Sequence, residues 1–128
     1  MAELQVEVVA VDGSVWDGAA RMVVAKTIEG DIGILPGHEP VLALLADGVL
    51  RIQTPDGATI AVAVHEGFFS VDSDVVSVLA ESAELGSQID VASAEAALAA
   101  ARAATDDDGG AAVRRAESQL RAAGALGH

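Results

Sequence analysis

The 128-residue chain contains no cysteine and no tyrosine. Without cysteine, neither a disulfide framework nor a zinc site built on thiolates can form. The same absences remove two side chains that commonly do nucleophilic or acid–base work, and the serines lie mainly in turns, without the Gly-x-Ser-x-Gly pattern of a nucleophile elbow. A catalytic set is therefore hard to assemble from these residues.

Basic residues are scarce, with 7 lysines and arginines against 20 acids and a net charge of −13. Such a chain repels phosphate backbones and anionic lipids, so we expect no nucleic-acid partner and a partner surface that is neutral or basic. No apolar run approaches the roughly 18 residues of a membrane span. The first residues also lack the basic, apolar pattern of a signal peptide, so we expect a soluble protein without direct lipid insertion.

Proline is limited to three residues, and two of them fall within residues 30–40. Pro36 forces Leu35 into extended geometry, and the pair Pro36-Gly37 fits the centre of a type II turn. The stretch therefore predicts a short strand, a tight turn and a stop at Pro40. The polar side chains left to face water or a partner are Asp31, His38 and Glu39.

Short runs rich in valine and isoleucine alternate with turn pairs up to about residue 85. The predicted turns include Asp12-Gly13, Asp17-Gly18, Asp47-Gly48 and Glu66-Gly67. Asp-Gly pairs favour hairpins, and successive hairpins predict an antiparallel β-sandwich or flattened barrel as domain 1–86. The run 41–46 could instead form one helical turn. The predicted strands are 4–11, 21–26, 32–35, 41–45, 49–54, 59–64, 68–71 and 75–80.

Composition changes abruptly at residues 86–88, beyond which alanine dominates. Asp90 can cap a helix over about 91–104, and the sequence Asp-Asp-Asp-Gly-Gly at 106–110 ends it. A second helix is predicted over about 111–123, with Gly124 as its stop. The predicted fold is thus α+β, with an antiparallel two-helix hairpin as the C-terminal domain 87–128.

Each predicted helix has one narrow stripe of mostly small side chains. Alanines bury little area, and isolated helices of this length are marginal in water. We therefore predict a hairpin that depends on docking elsewhere and can detach. The two stripes are Val91, Ala94, Leu98 and Ala101, and Val113, Ala116, Leu120 and Ala123.

Histidine is the remaining candidate for metal chemistry. His38 and His65 could form a site with Glu39 and Glu66, but no metal-ligand spacing is present. Two histidines in separate turns are more typical of surface or loop-packing residues. We predict no metal site.

Several segments together resemble the epsilon subunit of bacterial F-type ATP synthases. They are the start Leu-Gln-Val-Glu-Val-Val at 4–9, Gly-Asp-Ile-Gly-Ile-Leu-Pro-Gly-His at 30–38, Gly-Phe-Phe-Ser-Val at 67–71, Val-Leu-Ala-Glu at 78–81 and Ile-Asp at 89–90. The resemblance runs the full length of the chain and includes the order of the domains.

The resemblance implies a non-catalytic rotor subunit of the central stalk, which helps couple proton flow to ATP synthesis. In this family the hairpin, when extended, can inhibit ATP hydrolysis. The implied partners are the gamma subunit, the c-subunit ring and, transiently, the alpha/beta catalytic hexamer. The implied location is the cytoplasmic face of the bacterial plasma membrane, as a peripheral protein. The alternative is a free-standing nucleotide-responsive regulator with a β-sandwich and a helical switch.

By the same resemblance, Asp31 matches an acidic position facing the c ring, and His38 matches a histidine near the gamma contact. Asp31 is equally well explained as a turn residue beside Gly30. One further departure from the family is Glu66, which stands where a glycine is usual.

Some family members bind ATP through an Ile-Asp-x-x-Arg-Ala motif with an upstream glutamate. Here Ser93 replaces the motif arginine, and Asp90 is also explained as a helix cap. We expect no cofactor beyond ATP as a weak regulatory ligand. The matching positions are Glu81, Ile89, Asp90 and Ala94, with Arg115 near a familiar arginine position.

Overall fold

The structure, a computed structural model, describes residues 3–103 and 110–124. Eight strands come first, followed by a 3-10 turn at Gly86–Gln88 and two helices, α1 (Val91–Ala103) and α2 (Ala111–Ala122). The strands are β1 (Leu4–Ala10), β2 (Gly13–Ala20), β3 (Met22–Thr27), β4 (Gly30–Ile34), β5 (Val41–Leu45), β6 (Gly48–Gln53), β7 (Thr59–Asp72) and β8 (Val75–Leu85).

The strands form one hydrogen-bonded sheet in the order β2-β1-β8-β7-β5-β3-β4, and β6 pairs with both β3 and β7. Because β5 and β6 each bridge β3 and β7, the sheet closes on itself and hides one face. This is the predicted β-sandwich followed by helices. One difference is that β1 and β8, the first and last strands, pair in parallel.

The sandwich interior is filled by the inward residues of alternating strands, as the period of two requires. In β1 the buried residues are Leu4, Val6, Val8 and Ala10, with more exposed ones between them. Each such aliphatic side chain contributes about 1.5 to 3 kcal/mol when fully buried. The largest fully buried side chains are Phe69, Leu4, Ile34, Leu50 and Ile52.

One strand was missed by the sequence prediction, which placed a turn at Asp17-Gly18. Both residues lie inside β2, where Asp17 pairs with Glu7 and Gly18 pairs with Val6 of β1. The chain turns at Val11 and Asp12, because Ala10 pairs with Gly13, and the pairing shifts register between Val8 and Val9. A strand that contains an Asp-Gly pair looks like a turn locally, and only its pairing with β1 identifies it as a strand.

Two other turn predictions were wrong. Asp47-Gly48 is not the turn of a hairpin, because β5 and β6 do not pair with each other. The chain crosses there between two sides of the sandwich. Glu66-Gly67 lies inside β7, so the predicted strands 59–64 and 68–71 form one continuous strand. Glu66 keeps the positive φ, 49°, that a turn would have required.

The predicted turn at Pro36 is confirmed. The His38 amide donates to the Leu35 carbonyl at 3.1 Å, and Gly37 has φ of 87°, as the second central residue of a type II turn requires. The Gly37 amide also donates to Asp74 Oδ1 at 2.7 Å, which fastens this turn to the β7–β8 turn. The run 41–46 forms strand β5 rather than a helical turn.

The helix boundaries agree with the sequence prediction within one residue. Asp90 caps α1, since its Oδ1 accepts a hydrogen bond from the Ser93 amide at 3.1 Å. The predicted interhelical break at 106–110 falls largely outside the described residues. Between the helices, a small apolar cluster holds the hairpin together, and it consists of Ala94, Leu98, Ala116 and Leu120 with partly buried Ile89, Val91 and Val113.

The hairpin docks on the sandwich through α2, which packs on β6, β7 and the 3-10 turn. Its closest backbone approach is at Gly86, where a Cβ atom would lie 2.1 Å from the Ala122 carbonyl oxygen. Only glycine permits this contact. The packing of α2 at this point therefore depends on a contact between backbones and not on large side chains.

We predict that Gly86→Ala detaches the hairpin while leaving the sandwich folded. The added methyl group meets backbone and should cost about 1 to 3 kcal/mol, as overpacking does. Hydrogen exchange should show faster amide exchange in α1 and α2 and unchanged protection in the core strands. Gly33→Ala is the matched control, because a Cβ there meets nothing within 4 Å. Helix amides that stay as protected as the core in Gly86→Ala would contradict a detachable hairpin.

Candidate functional site

A polar cleft of about 160 Å³ lies where the start of α2 meets β7 and β8. It arises from a matched irregularity in the two strands. In β7 the core-facing residues change from Val62 and Val64 to Phe69 and Val71, so one extra residue is turned outward. In β8 the buried Ala80 is followed by Ala83 as the next residue packed on the core. The cleft is lined by Asp47, His65, Glu66, Glu81, Ser82, Ala111 and Arg115.

His65 lies at the base of this cleft and was wrongly predicted to be a turn residue. It is in β7, is only 7% exposed, and neither ring nitrogen has a hydrogen-bond partner. Its Nδ1 is 3.7 Å from Asp47 Oδ1, beyond hydrogen-bonding distance. Burial lowers the pKa of His65, the positive charge of Arg115 lowers it further, and Asp47 opposes both. The imidazole is therefore held neutral near pH 7.

Glu66 and Glu81 lie opposite each other on β7 and β8, and both are exposed. A hydrogen bond to Glu81, together with the negative charge of that residue, raises the pKa of Glu66. Two like charges are thus held close together at the point where β7 and β8 change which of their residues face the core. This pair is the one place in the cleft where protonation relieves repulsion.

Two exposed polar contacts tie α2 to the sandwich beside the cleft. Arg114 Nε lies 3.5 Å from Asp47 Oδ2, and Gln119 donates to Glu84 at 2.6 Å. Exposed ion pairs contribute about 0 to 1 kcal/mol each. The docking of α2 is consequently adjustable rather than fixed.

The predicted ATP-binding residues are only partly brought together. Glu81 and Arg115 line the same cleft. Asp90 is occupied in capping α1, and Ala94 is buried between the helices. The cleft sets three carboxylates against one arginine side chain, which is an unfavourable surrounding for a triphosphate.

The two histidines suggested for a metal site lie on different elements. His38 is on the Pro36 turn, with Nδ1 2.7 Å from the Glu39 carbonyl oxygen, and His65 is under α2. Within residues 3–103 and 110–124, no group of three potential ligands is close enough to hold a metal ion.

Asp31, the predicted c-ring contact, is exposed on β4 and pairs in register with Lys26 of β3. Around it is a second cleft, of about 320 Å³, to which Lys26, Arg51 and Arg121 also contribute. The acid therefore faces cations of its own chain. His38 is partly exposed on the neighbouring loop.

The feature that sequence reasoning missed is an exposed apolar strip, which we define as Ile28, Leu44, Phe68 and Leu79. The Ile28 amide donates to the Leu44 carbonyl at 3.1 Å. Leu44 pairs with Phe68, and Phe68 with Leu79, so these side chains lie on one face. The four residues are 47 to 63% exposed. The pair Phe68-Phe69 could have indicated this strip in the sequence. Adjacent strand residues face opposite sides of a sheet, so one of the two phenylalanines has to face outward.

A contiguous apolar strip of this kind marks a surface for another protein. The β-sandwich with this strip and a docked helical hairpin thus defines a protein-contact module. No helix within the described residues is long and apolar enough to cross a bilayer.

Comparison with known proteins identifies the family. Residues 3–86 match the family model described as ATP synthase, Delta/Epsilon chain, beta-sandwich domain. An ATP synthase epsilon chain of Streptomyces griseus is 52% identical over 121 residues, which cover 94% of this chain and 95% of that protein. One from Rhodococcus opacus is 54% identical over 100 residues, covering 77% of this chain and 82% of that protein. The chain belongs to the ATP synthase delta/epsilon chain family.

Solved structures agree with this assignment. A chain in the Euglena gracilis mitochondrial ATP synthase assembly of OSCP, F1 and c-ring superimposes with a TM-score of 0.74 at 25% identity, covering 98% of this chain and 80% of that chain. A chain of the central stalk and c-ring assembly of Tetrahymena thermophila mitochondrial ATP synthase shares the fold, with a TM-score of 0.53 at 16% identity over 83% of this chain and 75% of that one. The protein is a non-catalytic subunit of ATP synthase.

We predict that Glu66→Gln stabilises the protein at pH 7 and has little effect below the ordinary carboxyl pKa of 4.5. A raised pKa in the folded state means that stability is fully present below the unfolded pKa and is lost as pH rises through the folded one. Gln stays neutral and can still donate to Glu81. Thermal unfolding from pH 3.5 to 7 measures the difference.

The control is Glu29→Gln on the exposed β3–β4 turn, which removes the same charge away from the cleft, and the effect of Glu66→Gln is measured relative to it. A Glu66→Gln profile parallel to that of the parent across the whole range would refute the repulsion between Glu66 and Glu81.

Proposed function

We propose that this chain is a rotor subunit that joins the c-subunit ring to the gamma subunit and couples proton flow to ATP synthesis. We further propose that its hairpin, when extended toward the alpha/beta catalytic hexamer, inhibits ATP hydrolysis. The single observation that carries the proposal is the apolar strip on a sandwich whose family is that of ATP synthase delta/epsilon chains. It acts as a peripheral protein at the cytoplasmic face of the bacterial plasma membrane.

The apolar strip supports a protein partner, which we propose to be gamma, because its burial would stabilise a complex. A fully buried Leu, Ile or Phe contributes about 1.5 to 3 kcal/mol, so four residues that are about half exposed can supply several kcal/mol on a partner. A single rim charge pair supplies about 0.2 to 1 kcal/mol. Affinity therefore comes from the strip, and nearby charges set orientation.

Asp31 and His38 are proposed as the orienting contacts, with the c ring and with gamma respectively. Both lie close along the chain to the stiff turn at Pro36, which is fastened to Asp74. A rigid loop loses little conformational freedom on binding. The cations around Asp31 on its own chain, Lys26 among them, compete for its charge and limit its contribution to affinity.

The hairpin suits a brake because its docking is weak by construction. The helices meet through alanine and two leucines, and α2 is tied to the sandwich by exposed pairs such as Arg114 with Asp47. Such an element can exchange between docked and extended states at small cost. We assign no ATP to this switch, because the carboxylates beside Arg115 disfavour a triphosphate there.

The gamma contact is tested by Phe68→Ser, which removes the central side chain of the strip. Loss of its buried area should weaken binding to a co-expressed gamma subunit by roughly tenfold or more, since 1.4 kcal/mol corresponds to tenfold. Val11→Ser is the control, because Val11 is 82% exposed and lies off the strip. Binding is measured by titration of the purified chains.

If Phe68→Ser binds gamma as tightly as the parent while its thermal midpoint is unchanged, the strip is not the contact. A parent chain that stays monomeric beside gamma would favour the free-standing regulator instead.

The brake is tested by deleting residues 89–128 in the reconstituted enzyme. Deletion should raise ATP hydrolysis without preventing assembly, because the sandwich retains the proposed contacts. The Gly86→Ala variant should have the opposite effect and lower hydrolysis, because its hairpin is released but still present. The measurement is the steady-state rate of ATP hydrolysis by enzymes assembled with the parent chain, with the deletion and with Gly86→Ala. Equal rates would leave the coupling role and remove the inhibitory one.

A further inference from the structure

His65 occupies an unusual position for a titratable group. It is 7% exposed on the outer face of β7, at the base of the cleft closed by the first turn of α2. Both ring nitrogens lack a hydrogen-bond partner. An unsatisfied buried polar group favours any rearrangement that lets it reach water. Here the available rearrangement is the departure of α2.

The charges that face His65 come from four elements. The loop before β6 contributes Asp47, β7 contributes Glu66, and β8 contributes Glu81 and Glu84. The fourth element, α2, contributes Arg115 beside the ring and Arg114, which shares Asp47 with it. The acids favour an imidazolium, whereas burial and Arg115 disfavour it.

Burial and the positive charge of Arg115, which both disfavour a charged His65, both come from α2. Helix departure would hydrate the imidazole and carry Arg115 away, while the acids on the sandwich would stay. A protonated His65 would also compete with Arg114 for Asp47, which lies 3.7 Å from the ring and 3.5 Å from the guanidinium. Each of these effects opposes docking once the ring is charged.

We propose that His65 is a proton-operated latch: the neutral imidazole permits α2 to dock, and its protonation releases the hairpin from the sandwich. The latch itself rests on the docked geometry and on the charges that surround the ring. Only its consequence, that acidification of the surrounding solution engages the brake, rests on the proposed function.

The sign of the effect follows from linkage. The pKa of His65 is lowered in the docked state and returns toward its ordinary value of about 6.5 once the ring is hydrated. Docking is therefore at full strength above that value and weakens as pH falls below it. The equilibrium constant for undocking of α2 can therefore rise by at most about tenfold for each unit by which the pH falls. Protonation of Glu66 is stabilising instead, because it relieves the repulsion between Glu66 and Glu81 on β7 and β8.

The experiment uses the single tryptophan as a reporter. Trp16 lines a cleft with Gly86 and Ala122, at the far end of α2, so its emission should change when the hairpin leaves. Emission and amide exchange of the full chain are recorded between pH 7.5 and 5.5. We expect emission to move toward that of Gly86→Ala. Protection factors, which correct for the intrinsic pH dependence of amide exchange, should fall by up to about tenfold at pH 5.5 in α1 and α2 while core strands stay protected.

Two sets of variants assign the response. His65→Gln and His65→Phe remove the titration with a polar and an apolar side chain, and both should abolish the acid response. The double variant His38→Gln with His128→Gln leaves His65 as the only histidine and should retain it in full. A response that survives in either His65 variant, or that disappears in the double variant, would overturn the latch. Core strands that lose protection together with the helices would overturn it as well, because the opening would then be global.

Discussion

The close approach of Gly67 to the backbone of β8 shapes both functional surfaces. A Cβ atom at residue 67 would lie 2.0 Å from the Leu79 carbonyl oxygen, so no other residue fits without displacing the strand. The neighbouring Glu66 has a positive φ, and the strands change which of their residues face the core at this point. On one side of the bend the outward residues form the polar cleft. On the other side they form the apolar strip.

This arrangement separates two kinds of binding on one strand. Phe68, just after the bend, supplies apolar area that another protein can bury, whereas His65, just before it, lies under a helix of the same chain. Under the proposed function this division is useful, because the contact with a partner need not change when the hairpin undocks. The stiffness of the Pro36 turn serves the same end.

The hairpin is stabilised in a different way from the sandwich. The sandwich buries large aliphatic side chains in a closed sheet, whereas the helices contribute mainly alanine and two leucines to their own cluster. Buried area scales with stabilisation, so the two parts differ greatly in local stability. This difference in buried area supports the proposal that the helices undock without unfolding of the core.

The sequence by itself determined the features that depend on neighbours along the chain. These include the order of sandwich and helices, the Pro36-Gly37 turn, the Asp90 cap, the helix boundaries and the family resemblance carried by residues 30–38. Each rests on a local pattern of two to four residues, such as a fixed φ or a repeat of apolar positions.

Only the tertiary structure decided which strands pair and what their outer faces meet. Local pattern could not identify β2, join 59–64 to 68–71, or place β1 parallel to β8, because hydrogen bonds to distant strands override weak strand propensity. It likewise could not show that His65 is buried by α2 or that Ile28 and Leu79 belong to one strip. Burial of an outward-facing residue depends on an element far along the chain, and no local repeat encodes that contact.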